Sequence, residues 1–224
     1  MKNQSIWIGL SVVGILIGLW TTFKVYSVGF GVYAKTDVLV WTLPLSTYIF
    51  FSLTSAGLAF LSSFPVVFGI HRYEAIEKRT VFLEIAVLLA AFVCLILHLG
   101  SPLKVVYIFL SPNPASPLWW LAVLYFAYVI LLLSAFWRIH TGTMSKTLGI
   151  LVFLIAIFTS TTLGWLLGMT DARPTLNASF FSFYFPLTAL ASGMAALILF
   201  SALWGHLSGK DIPAGRSDLF NEIA

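Results

Sequence analysis

The chain has few charged residues. Asp, Glu, Lys and Arg together make up 9% of its 224 residues, whereas 60% are apolar. Charged residues are about a quarter of an ordinary soluble domain. The composition therefore excludes a soluble globular protein and predicts an all-α fold, a polytopic transmembrane helix bundle in a lipid bilayer. The length predicts a single integral membrane domain over residues 1–224.

Metal-binding side chains are also scarce. Cys94 is the only cysteine, which excludes an intrachain disulfide and a Cys-ligated iron–sulfur cluster or zinc ion. Of the four histidines, His71, His140 and His206 map to one end of the predicted spans and His98 to the other, which disfavours haem. We expect no metal, no haem and no catalytic residue in this chain. Any redox chemistry must then rest on a bound cofactor or on a partner subunit.

The net charge of +4 does not indicate nucleic-acid binding, because the cations stand singly between apolar segments. Their distribution predicts orientation, since cytoplasmic loops carry more Lys and Arg. Eight cations fall on one predicted side: Lys2, Arg72, Lys78, Arg79, Arg138, Lys146, Lys210 and Arg216. Four fall on the other: Lys24, Lys35, Lys104 and Arg173. We expect a multi-pass protein of the cell's inner (plasma) membrane, with both termini cytoplasmic.

Six stretches are apolar over the roughly 20 residues that a helix needs to cross a bilayer. They cover residues 5–26, 38–70, 80–99, 117–138, 147–169 and 180–207. The second is long enough to tilt or break, and either Pro44 or Gly57 could kink it. Small residues concentrate in 52–59 of the second span and 189–196 of the sixth. Because small residues let helices approach closely in lipid, these two spans are expected inside the bundle.

The segment from His98 to Trp120 concentrates polar chemistry between two apolar segments. Gly100 and Pro102 are typical of a helix end, and His98 precedes them by one turn or less. An imidazole can exchange hydrogen bonds and a proton with a quinone, although a histidine at the bilayer interface can equally bond a backbone carbonyl. Lys104 and Tyr107 follow, and Asn113 between two prolines is expected to be a turn residue.

This segment resembles the corresponding loop of the NrfD-like family, the membrane subunits of polysulfide and related respiratory reductases. The resemblance is carried by the Leu-Gly-x-Pro run at 99–102 and the Asn-Pro-x-Ser-Pro run at 113–117. It assigns residues 37–200 to an NrfD-like region whose core is a four-helix bundle. Residues 1–36 would be an extra first span and loop, and 208–224 a polar cytoplasmic tail. Many members carry Asp at the place of His98, but histidine also occurs there in anchors of dimethyl sulfoxide reductase type.

The resemblance implies a membrane anchor that exchanges electrons with menaquinone or ubiquinone in anaerobic respiration. It implies an iron–sulfur subunit with several clusters docked on the quinone-site face, and a molybdenum or tungsten pterin subunit beyond it. Members commonly have about eight spans, so further membrane subunits could supply the closing helices. The alternatives are a small polytopic transporter or channel, and a structural anchor without a quinone site.

Beyond His98, Lys104 and Tyr107, the predicted quinone-binding residues come from two regions. Tyr48, Ser52 and Ser55 have the spacing of one helical stripe, and they would form a pocket wall or interhelical hydrogen bonds. The run Gly168 to Asn177 matches a family loop, so Asp171, Arg173 and Asn177 would cover the pocket. A surface ion pair of Asp171 with Arg173 is the alternative.

Glu84 is the one acid well inside a predicted span, about one turn from the cytoplasmic end. Acids within a membrane are candidates for function because burying a charge there is costly. We expect Glu84 to lie on a proton path between the cytoplasm and the quinone site. The alternative is a fixed ion pair with Lys78 or Arg79.

Overall fold

The structure is a computed structural model that describes residues 2–33, 42–70, 73–99, 101–169 and 180–208. Within these ranges it contains seven α-helices and no strand: α1 Lys2–Val28, α2 Leu43–Phe68, α3 Glu74–His98, α4 Val106–Leu110, α5 Pro117–His140, α6 Lys146–Gly168 and α7 Phe181–Ser208. All except α4 are long and apolar enough to cross a membrane. The prediction of an all-α bundle with six spans is confirmed.

Local sequence explains where α2 begins and ends. The Thr42 hydroxyl accepts a hydrogen bond from the backbone N–H of Leu45 (3.4 Å), and Pro44 occupies the first turn, where its missing N–H costs nothing. Gly69 ends the helix with φ +70°, a left-handed conformation that favours glycine. Pro44 therefore belongs to the first turn of α2, which begins at Leu43. The four residues 38–41 of the predicted span lie outside the described residues.

The predicted start of α3 was wrong by six residues. The helix begins at Glu74 instead of residue 80, because the charged run that resembles a loop forms the first helical turns. Glu74 and Glu77 lie in the first turn, where the helix dipole favours acidic side chains. As a consequence, Glu84 lies about three turns inside the helix, roughly 15 Å from its start at 1.5 Å per residue.

Helix α2 is the centre of the bundle. It packs against α3, α6 and α7, while α5 contacts both α3 and α6. Its contact with α7 is made backbone to backbone: a Cβ atom at Gly57 would overlap Ala189, and one at Gly193 would overlap Gly57. The small-residue segments of the second and sixth spans thus meet, as predicted.

Helix α1 lies at the periphery. Most of its apolar side chains are exposed, and among the described residues Val25, near its end, is the one that is buried. Helices α2 and α3 run antiparallel, as do α5 and α6, because a connection of five residues joins each pair. One end of the bundle holds the start of α2 and the end of α3, and we call it the His98 edge. The other holds the end of α5 and the start of α6, and we call it the His140 edge.

Candidate functional site at the His98 edge

His98 is the last residue of α3 and is half-buried. Its Nδ1 atom lies 2.7 Å from the hydroxyl oxygen of Thr42, which is itself 3% exposed. The bond joins the first turn of α2 to the last turn of α3. It fixes the direction of the imidazole ring, because a hydrogen bond at one ring nitrogen determines where the other points.

The two residues before His98 are also held by hydroxyl groups. The phenol of Tyr26 donates to the carbonyl of Ile96 (2.8 Å), and that of Tyr33 donates to the carbonyl of Leu97 (3.0 Å). The last carbonyls of a helix have no partner within the helix, so such donors stabilise its end. Burial, and then the neighbouring phenol of Tyr26, raise the pKa of Tyr33. The Tyr33 hydroxyl therefore remains a donor at neutral pH.

The chain that follows His98 forms a short outer layer. A 3-10 helix, Pro102–Val105, runs directly into α4. Lys104 and Tyr107 are both exposed on it, and apolar Leu103 is 89% exposed. The layer rests on α5 through the rings of Phe109 and Phe126, whose centroids are 5.7 Å apart. The two predicted ligands therefore lie at the surface of the His98 edge.

The Asn-Pro run forms the turn into α5. The side-chain oxygen of Asn113 accepts from the backbone N–H of Ala115 (3.2 Å), which confirms its predicted role as a turn residue. Pro117 begins the helix, and the indole of Trp120 donates to the carbonyl of Pro114 (2.8 Å). The indole nitrogen of Trp119 is enclosed and has no hydrogen-bond partner within the described part of the chain.

Tyr48, Ser52 and Ser55 lie on one buried face of α2, none of them more than 4% exposed. The ring of Tyr48 lies against that of Tyr125 at 6.3 Å between centroids. The hydroxyl of Ser52 has no hydrogen-bond partner among the residues described here. The hydroxyl of Ser55 lies 3.3 Å from the carbonyl of Glu84 and makes the interhelical bond that was the alternative to a pocket wall.

Glu84 is completely buried, and hydroxyls surround its carboxyl group. Tyr128 donates to Oε1 (2.7 Å) and Ser62 donates to Oε2 (3.3 Å). Of the two partners considered from the sequence, Lys78 is exposed, and the guanidinium carbon of Arg79 lies 5.9 Å from the centroid of the Trp204 ring. The Glu84 cluster, which we define as Glu84, Tyr128, Ser55 and Ser62, thus joins α2, α3 and α5 by hydroxyl contacts.

The structure does not bring all predicted residues into one site. His98, Lys104 and Tyr107 lie at the His98 edge, whereas Ser55 and Glu84 lie deep in the bundle. Asp171, Arg173 and Asn177 fall outside the described residues, as does the 208–224 tail beyond Ser208. No group of three or more His, Cys, Asp and Glu side chains that could hold a metal occurs in the described ranges.

Sequence reasoning missed Thr42 and Tyr128. Thr42 stands two residues before Pro44, and a threonine just before a proline in the first turn is a recognisable helix start. Tyr128 gave a weaker signal. It lies in an apolar span in which every neighbour could face lipid, and only its spacing of three from Tyr125 suggested a shared face.

Taken with the fold, this arrangement defines a multi-pass membrane protein with a polar, hydrogen-bonded edge. Residues 31–219 match the family described as Polysulphide reductase, NrfD, and the chain belongs to that family.

Two curated proteins are similar over about half of the chain. One is a selenate reductase subunit of Mesobacillus selenatarsenatis, 28% identical over 122 residues, which cover 54% of this chain and 29% of that protein. Another is a putative dimethyl sulfoxide reductase membrane subunit of Halobacterium salinarum, 26% identical over 114 residues, which cover 51% of this chain and 26% of that protein. The chain therefore matches less than a third of either relative's length. No solved structure matches the chain.

The residues of the His98 edge fit a quinone head group. Such a group needs hydrogen-bond partners for its carbonyl oxygens and apolar surroundings for its ring. His98 and the unpartnered indole of Trp119 are polar groups of the required kind. Exposed Leu103 and Leu110 supply apolar surface at the same edge.

Proposed function

We propose that this chain is the quinone-reactive membrane subunit of a respiratory oxidoreductase complex. It would exchange electrons between menaquinone or ubiquinone and an iron–sulfur partner subunit. The observation that carries the proposal is His98, which is held by Thr42 at the edge where the family's loop follows. Membership of the NrfD family and similarity to two reductase subunits support it.

In this proposal His98 hydrogen-bonds the quinone head group or a water beside it. The quinone supplies two-electron chemistry when bound. The imidazole contributes a hydrogen bond and a place for one proton, because its pKa in solution is near neutral. Lys104 and Tyr107, and Asp171, Arg173 and Asn177 of the following loop, would line or cover the same pocket. Tyr48 and Ser52 on the buried face of α2 would form its inner wall, whereas Ser55 bonds the Glu84 carbonyl deeper in the bundle.

We expect His98→Ala to abolish quinone reduction and quinol oxidation by the purified complex, while the complex still assembles. His140→Ala is the matched control, because that exposed histidine lies at the opposite edge and bonds the Phe136 carbonyl of its own helix. Turnover and quinone content are measured together. Near wild-type turnover in His98→Ala would leave a structural anchor without a quinone site as the better description.

The partners follow from the same proposal. An iron–sulfur subunit with several clusters would dock on the His98 edge, because electron transfer needs a cluster close to the quinone. A molybdenum or tungsten pterin subunit would lie beyond it, and further membrane subunits could complete the bundle. The excess of Lys and Arg on the other side favours an orientation with the His98 edge outside the inner membrane and both termini in the cytoplasm.

We further propose that Glu84 moves protons between the cytoplasm and the quinone site. A buried carboxylate without a cationic partner is costly in lipid, so an acid at this position indicates a functional role. The carboxyl group bonds two hydroxyls, Tyr128 and Ser62, which can each accept or donate. The orphaned hydroxyl of Ser52 lies one turn from Ser55 toward the His98 edge, where a water could continue the chain.

Glu84→Gln tests this role because the amide keeps the size and a hydrogen-bonding capacity but not the acid. In proteoliposomes we expect the variant to slow proton uptake and quinone turnover together. Ser134→Ala is the control, since the hydroxyl of this half-buried residue bonds the carbonyl of Ile130 in its own helix. If both rates equal those of the wild type, Glu84 is structural. A transporter, the other alternative, would instead show substrate flux without quinone turnover.

A further inference from the structure

We propose that Tyr26, Tyr33 and Thr42 form a hydroxyl clamp that positions His98 for quinone chemistry. The proposal rests on the function given above and adds three positioning residues to it. It also gives the peripheral helix α1 a specific task, which is to hold the turn that carries the site.

The clamp engages three consecutive residues. Tyr26 bonds Ile96, Tyr33 bonds Leu97 and Thr42 bonds the side chain of His98, with donor–acceptor distances of 2.8, 3.0 and 2.7 Å. All three hydroxyls come from a single stretch of 17 residues, counted from 26 to 42. A helix end is ordinarily free to fray within its last turn. Three bonds from one neighbouring segment remove that freedom at the residue where precision matters.

Thr42 is the member of the clamp that touches the imidazole. Its hydroxyl already accepts a long bond from the Leu45 N–H, and it retains one hydrogen to donate and a second lone pair to accept. It can therefore donate to Nδ1 or accept from a protonated Nδ1, so the bond persists in either charge state of His98. The ring would keep its orientation while the proton at Nε2 comes and goes.

Tyr26 ties α1 into the site. The family match begins at residue 31, after α1 has ended at Val28. Most of α1 is exposed. Tyr26, which is 43% exposed, bonds the carbonyl of Ile96 in α3 through its phenol. Because this hydrogen bond is exposed, we assign it no role in packing the core. It holds the carbonyl of Ile96, two residues before His98.

The clamp is tested in the assembled complex with single-hydroxyl variants. Thr42→Val keeps the shape and removes the bond, and Thr42→Ser restores the hydroxyl. Tyr26→Phe and Tyr33→Phe each remove one phenol without changing the ring. Ser145→Ala controls for loss of a helix cap, because Ser145 caps α6 at the opposite edge by accepting from Leu148 N–H (3.3 Å). Tyr73→Phe controls for loss of a phenol at the opposite edge, where the ring of Tyr73 lies 5.6 Å from that of Phe64 between centroids.

We expect Thr42→Val to lower kcat for quinone turnover about tenfold or more with a smaller change in KM, since misplacement of a reacting group acts mainly on the chemical step. Thr42→Ser should recover most of the rate. Tyr26→Phe and Tyr33→Phe should lower kcat severalfold, and both controls should match the wild type. Because Tyr26 lies outside the bundle, its variant still decides the question if Thr42→Val fails to assemble.

Two failures are distinguishable. If His98→Ala is inactive while Thr42→Val, Tyr26→Phe and Tyr33→Phe turn over normally, the clamp is overturned and the proposed function stands. If His98→Ala itself turns over normally, the role of His98 in the proposed function fails, and the clamp loses its purpose with it.

Discussion

At the scale of single residues, the bundle buries the carboxyl group of Glu84 among hydroxyl groups. A carboxyl group with no exposed surface must be neutral, paired or hydrogen-bonded. Here the partners are hydroxyls from α2 and α5, so the cost is met by hydrogen bonds across helices instead of by an ion pair. The Tyr128 hydroxyl lies 2.7 Å from Glu84 and 3.2 Å from the Ser55 carbonyl, and its single hydrogen goes to the shorter bond.

Tyr128→Phe should therefore destabilise the protein. The ring still fills its place, but Glu84 loses its closest partner, and a buried group left unsatisfied costs about 1–3 kcal/mol. Hydrogen bonds between membrane helices average about 0.6 kcal/mol, so the lower half of that range is expected. The measurement is the thermal midpoint of the purified protein in detergent. Tyr184→Phe, on an exposed ring, should leave the midpoint unchanged, and an equal midpoint for both variants would contradict the assignment.

At the scale of elements, α2 and α7 meet through glycine. Lipid provides no hydrophobic drive between helices, so close backbone contact supplies much of the attraction. Gly57 and Gly193 have no side chain to hold their helices apart, and each occupies the space where the other would need a Cβ. Helix propensity gives no reason for either glycine, since alanine is the better helix former by about 1 kcal/mol.

Gly57→Ala is predicted to destabilise the bundle despite that gain in propensity. The added methyl overlaps the Ala189 backbone, which cannot rotate away, and overpacking of this kind costs about 1–3 kcal/mol. Gly14→Ala on α1 is the matched control, because a Cβ there meets no atom within 4 Å. Resistance to unfolding in SDS should fall for the first variant and stay equal or rise for the second. Equal behaviour would show that α2 and α7 can separate freely.

At the scale of the whole molecule, the apolar segments predict the six spans, and the small residues predict that the second and sixth meet. These signals are local and repeated along a segment. The early start of α3 was missed because its first turns are charged, and tertiary packing decides whether such a run is helix or loop. The roles of Thr42 and Tyr128 were missed because their hydrogen bonds, to His98 and Glu84, join residues 56 and 44 positions apart and leave no pattern in the sequence.

The two sides of the molecule should differ in both accessibility and partner contact. Ser111 is exposed at the His98 edge, and Thr143 is exposed at the His140 edge. We replace each in turn by cysteine in a Cys94→Ala background and label intact cells with a membrane-impermeant maleimide. With the iron–sulfur partner deleted, Ser111→Cys should react and Thr143→Cys should react only after permeabilisation.

In the assembled complex Ser111→Cys should become protected, since the docking face would cover it, while Thr143→Cys should not change. Labelling of Thr143→Cys from outside would reverse the orientation, and an unprotected Ser111→Cys would move the partner away from the His98 edge.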